Sequence, residues 1–111
     1  MSQIYSGNLR NAVLSIATSG DNEVIAAPTD GYIVIDHINL VPAGAVDVRL
    51  KSGSTNLSGL YSLTTSQGFV LENSMHNEQG VITCARNEAF NINLSGAVQV
   101  SGFVRYRVIG S

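Results

Sequence analysis

The sequence predicts an all-β fold, a two-sheet antiparallel jelly-roll-like sandwich of about eight strands. Three observations predict it. Apolar and polar residues alternate with a period of two along most of the chain, which puts successive side chains on opposite faces of a strand. Turn signals built on Gly, Pro, Asn, Asp and Ser recur every 8–12 residues or so, the spacing of short antiparallel strands. No stretch between those signals carries a convincing helical pattern. An immunoglobulin-type sandwich is the alternative, but one cysteine and no tryptophan leave no Cys…Trp…Cys framework.

Residues 1–7 (MSQIYSG) read as an N-terminal arm with two apolar side chains, Ile4 and Tyr5. Residues 8–111 then read as one β-sandwich domain. In Asn8–Ser19, Leu9, Val13, Ile16 and Ala17 suit a helix, while Arg10, Ala12, Leu14, Ile16 and Thr18 suit a strand. The β-branched content favours the strand. The cluster Ser19-Gly20-Asp21-Asn22 turns the chain into a short strand, Glu23–Ala27, ended by Pro28. Pro28-Thr29-Asp30-Gly31 is a second strong turn. Tyr32–Val41 (YIVIDHINLV) is the most apolar strand and is expected in the centre of a sheet, covered on both sides. Ala45–Lys51 alternates without a fault, with Val46, Val48 and Leu50 inward. Thr55–Thr65 is interrupted at Gly59, where a bulge or bend is expected. Phe69-Val70-Leu71 precedes the one long polar loop, Glu72–Gly80.

The last third, Gly80–Ile109, has the clearest alternation. Phe90, Ile92 and Leu94 oppose Asn91 and Asn93. Val98, Val100, Val104, Tyr106 and Val108 oppose Gln99, Ser101, Arg105 and Arg107. Phe103 and Ile109 fall on the otherwise polar face beside the two arginines, which marks that face as a contact surface. Gly102 breaks the inward row and is expected to mark a bend.

The chain has 111 residues, 44% of them hydrophobic and only 13% charged. That length supports a real core without metal or disulfide staples, and the charge is low beside the ~25% typical of soluble domains. A surface so poor in charge suits partial cover by other protein, and equally a β-rich domain solubilised by Ser, Thr and Asn. The net charge of −2 and six Lys plus Arg disfavour nucleic acid as a partner, which would require a clustered positive patch. No apolar run reaches the ~18 residues of a membrane span, and Met1-Ser2-Gln3 opens no secretory signal, so synthesis in a cytoplasm is expected. Without a signal, the sequons at Asn56 and Asn93 are accidental matches.

Reactive chemistry is not displayed. Cys84, within Val81–Ala85, reads as a buried apolar thiol. His37 follows Asp36 in a strand, so the two side chains are expected on opposite faces, unable to form a dyad. His76 shares the Glu72–Gly80 loop with Glu72 and Glu78, but nothing fixes a coordination geometry there. Asp21, Asp30 and Glu88 sit in turns, and no nucleophile elbow or phosphate loop is present. Neither an enzyme nor a cofactor site is expected.

The run Gly80-Val81-Ile82-Thr83-Cys84-Ala85, then Asn87-Glu88-Ala89-Phe90-Asn91-Ile92-Asn93-Leu94-Ser95, then Gly96-Ala97-Val98-Gln99-Val100-Ser101-Gly102 with its closing aromatic–Arg strand, resembles small bacteriophage virion proteins. These are head decoration (cement) proteins or head-fibre base domains of jelly-roll-like fold. The similarity covers about a third of the chain, and Asn87 stands where that pattern has Gly. The resemblance implies a homotrimer on the outer capsid surface, located in the virion, with the major capsid protein as partner and no catalytic residues. Contacts are expected at strand edges, at the Ile4–Leu9 arm (Ile4, Tyr5, Leu9) and at Phe103, Arg105 and Arg107. A receptor- or glycan-binding module of a tail or fibre, with its site in the Glu72–Gly80 loop, is the alternative.

Overall fold

A computed structural model describes residues 9–73 and 80–110. Among them are ten strands: β1 (Arg10–Ile16), β2 (Gly20–Ile25), β3 (Gly31–Pro42), β4 (Val46–Ser52), β5 (Thr55–Asn56), β6 (Tyr61–Leu63), β7 (Phe69–Glu72), β8 (Ile82–Thr83), β9 (Phe90–Leu94) and β10 (Val100–Gly110). The Asn8–Ser19 segment is thus a strand. The Thr55–Thr65 segment is two short strands separated around Gly59, which is open to solvent.

One sheet has the order β1-β10-β3-β7 with β8 also on β3, and the other has β2-β9-β4-β5 with β6 also on β4. All the pairings are antiparallel. β7 and β8 flank one side of β3, as β5 and β6 flank one side of β4, so ten strands fill eight positions. The first strand lies beside the last, and the chain crosses repeatedly between sheets, which is a jelly-roll arrangement.

The two sheets close on one core. Leu14, Ile33, Ile35, Ile38, Leu40 and Val104 come from the first sheet and Val48, Leu50, Phe90, Ile92 and Leu94 from the second. Tyr106 and Val108 pack against this cluster, as the alternation predicts. Ile33 and Ile35 are followed inward by Ile38 rather than by residue 37. The reason is a register shift: Arg105 pairs His37 while Tyr106 pairs Ile35, so Asp36 is an extra residue in β3. The bulge restores the inward row for Ile38 and Leu40.

Gly102 does not bend the chain, because β10 runs unbroken through it between Leu14 and Leu40. Its role is close approach: a Cβ there would collide with the Asn39 carbonyl oxygen and approach Asn39 Oδ1 at 2.6 Å. The same Asn39 Oδ1 accepts the Phe103 N–H at 3.3 Å. Gly102→Ala is expected to lower stability by about 1–3 kcal/mol, the range for forcing atoms into a packed site. A falling urea midpoint with unchanged slope checks it.

Candidate functional site

The outward faces of the two sheets differ in chemistry. On the second sheet, polar side chains satisfy one another. Asn93 Nδ2 donates to Asp21 Oδ1 at 2.7 Å and Lys51 Nζ contacts both Asp21 oxygens at 3.1 Å. These partners, Asn93 foremost, hold the Asp21 carboxyl below its usual range. Asn91 Nδ2 donates to the Gly53 carbonyl at 2.9 Å.

The first sheet presents a surface with exposed apolar side chains. Cross-strand register brings Val13, Phe103, Asn39 and Val70 into one row over β1, β10, β3 and β7. The next row places Ser15, Ser101 and Val41 side by side. Val13 is 83% exposed, Val70 59% and Val41 49%. Val13, Phe103 and Val70 in one row and Val41 in the next, with Asn39 among them, form a patch rather than scattered singles. On the other side of the first row lie Asn11, Arg105, His37 and Glu72. The His37 and Phe103 rings stack at 5.0 Å between centroids, and Arg105 Nε donates to Asn11 Oδ1 at 3.1 Å. A shallow groove of about 330 Å³ runs along the β1 side, lined by Asn11, Ala12, Val13, Phe103 and Arg105.

Of the contact residues expected from sequence, Phe103 and Arg105 lie on this face, and Leu9 is exposed just before β1. Ile4 and Tyr5 lie outside the described residues. Arg107 corrects an expectation: it is 0% exposed and offers nothing to a partner. Its Nε donates to Asp36 Oδ2 at 2.6 Å and its Nη2 to Asp36 Oδ1 at 3.1 Å. Asp36 Oδ1 also accepts from Asn73 Nδ2 at 2.9 Å, where the chain leaves β7. The backbone N–H groups of Asn73 and Val81 reach the carbonyls of Asp36 and Ile35. The arginine is therefore a buried structural ion at this end of the sheet.

The bulge overturns a second expectation. Asp36 and His37 do not point to opposite faces. Asp36 meets Arg107, whose register partner is Val34, while His37 stacks on Phe103, so both lie on the outward side. They still serve separate partners.

Cys84 is buried, and burial raises its thiol to about 11, so little nucleophilic thiolate exists at neutral pH. Beside it, Ser52 Oγ donates to Glu88 Oε1 at 2.7 Å and accepts the Ala85 N–H at 2.9 Å, which fixes the turn before β9. Asn87 in that turn has φ 63°, a left-handed conformation that Asn tolerates better than most residues and Gly most easily. Its side chain accepts the Gly31 N–H at 3.1 Å, a bond that glycine would lack. Among the described residues no three His, Cys, Asp or Glu side chains gather as metal ligands. His76 and Glu78 lie outside those residues. No helix among them is long and apolar enough to cross a membrane.

No family model, no curated protein and no solved structure matches the chain. Val13, Val41 and Val70 are the residues of this face that sequence reasoning missed. Each is an ordinary outward valine in its own strand, and only strand register reveals the patch.

Proposed function

We propose that the chain is a structural protein of a bacteriophage head. It binds the outer capsid surface as a trimer, with the major capsid protein as partner, and reinforces the junctions between capsomers. The observation that carries this reading is the exposed apolar patch on the outward face of the first sheet, with Val13, Phe103 and Val70 in one cross-strand row and Val41 in the next. Such a face gains by being covered: fully burying one valine-sized side chain is worth about 1.5–3 kcal/mol. A small patch gives a weak single contact, but a trimer seated on a repeating lattice multiplies it through effective concentration. The resemblance of Gly80–Gly102 to decoration proteins and the rigid jelly roll behind the face point the same way.

The test uses the phage that encodes the chain. Purified heads should contain the protein in copy numbers divisible by three, and the free protein should sediment as a trimer or a multiple of one. A V41D/V70D double variant, altered only at exposed positions, should keep its fold and lose at least tenfold in occupancy on heads. Absence from heads, or a strict monomer that ignores them, overturns the proposal.

A further inference from the structure

The two sheets have four lateral edges, and they are unequal. On the far side of the first sheet the edge is divided between β7 and β8, of four and two residues. The second sheet ends on one side in the short β5 and β6. On its other side it ends in β2, which carries Asp21 and Glu23. Short strands and edge charges both discourage pairing with another chain. β1 has neither protection. Its seven residues, Arg10–Ile16, contain no proline and no bulge, and their one charge stands at the N-terminal end.

The direction of its backbone groups follows from β10. The Phe103 N–H meets Asn39 Oδ1, and the Gln99 carbonyl accepts from Ala43. Odd-numbered residues of that strand therefore turn their backbone groups toward β3, and Gly102 and Val104 turn theirs toward β1. Their partners there are Leu14 and Ala12. By the alternation of an antiparallel ladder, Asn11, Val13 and Ser15 turn N–H and C=O away from the sheet. Among the described residues no strand pairs with that side.

We infer that the β1 edge pairs with the β1 edge of a second copy, antiparallel and centred on Val13. The strand is complementary to itself in this register. Val13 stands opposite Val13, Asn11 opposite Ser15, and Ala12 opposite Leu14. All three outward residues of each copy then exchange backbone hydrogen bonds. The charges do not oppose the pairing, since each Arg10 lies beside the other copy's Ile16, at opposite ends of the joint. The contact is isologous and closed by a twofold. It cannot build the proposed trimer, but it can join copies from neighbouring trimers, and it holds whether or not the capsid is the partner.

Two variants test it in the full chain. Cα atoms of a hydrogen-bonded antiparallel pair lie ~5.5 Å apart, within disulfide range, so V13C should oxidise to a covalent dimer in a glutathione buffer. V70C, also exposed but on the opposite edge, serves as the collision control, and buried Cys84 should leave the unaltered chain uncrosslinked. At least tenfold faster dimer formation by V13C than by V70C is expected. V13P removes an outward N–H without touching the β10 ladder, and circular dichroism checks its fold. It should weaken twofold association of the protein, read by sedimentation, at least tenfold. Equal crosslinking of V13C and V70C overturns the inference. So does loss of head binding in V13P while V13C stays uncrosslinked, because the edge would then receive a strand from another protein.

Discussion

Arg107→Ala is expected to cost about 3–5 kcal/mol, a large share of the ~5–15 kcal/mol that holds a domain together. The arginine has no exposed surface and its guanidinium grips both Asp36 oxygens. Truncation leaves the carboxylate without its cation in a site largely shut off from water, with the Asn73 amide still donating to Oδ1. Asp36→Ala should cost a similar amount, because it removes the carboxylate that the buried guanidinium grips through two nitrogens. The double variant Asp36→Leu/Arg107→Met should recover most of the loss, because well-packed apolar groups can replace a buried ion pair at little net cost. Urea denaturation of all four proteins gives the coupling between the sites. Additive single losses would show that the pair is not a unit.

The same pair shows how far the sequence can be read. Period-two alternation locates β4, β9 and β10, because a half-buried strand must sort its side chains by face, while β-branched content and continuous apolarity locate β1 and β3. It also places Phe103 and Arg105 on the outward side of β10. It fails at Asp36, where one inserted residue shifts the phase of β3, and nothing in Val34-Ile35-Asp36-His37-Ile38 announces the insertion. Once that phase is lost, Arg107 between Tyr106 and Val108 reads as a wet residue. The signal that was present is the lone acid within a strand expected to be covered on both sides, since a buried charge must find its opposite. The apolar patch was illegible for another reason. It is made of residues from four strands, and register, which a single sequence does not print, is what aligns Val13 with Val70.

Register also decides how much the core tolerates at Phe90, the other position where a large loss is expected. Phe90→Ala should destabilise by about 3–5 kcal/mol, the combined cost of lost transfer energy and a residual cavity. Phe90 opens β9 between Ile25 of β2 and Ser52 of β4, and it is wholly buried. Collapse into the space it leaves is hindered on both sides. The Gly53 N–H is bonded to the Ala89 carbonyl, and Ser52 is tied to Glu88 and Ala85, so the backbone next to residue 90 is pinned. Phe90→Leu keeps most of the volume and should cost well under half as much. Because Phe90 lies in the second sheet, its truncation should lower the urea midpoint while leaving the outward face of the first sheet able to bind below the transition. A loss in Phe90→Ala below about 1 kcal/mol would mean that the site refills, and that the tethered Ser52–Glu88 turn is softer than its hydrogen bonds imply.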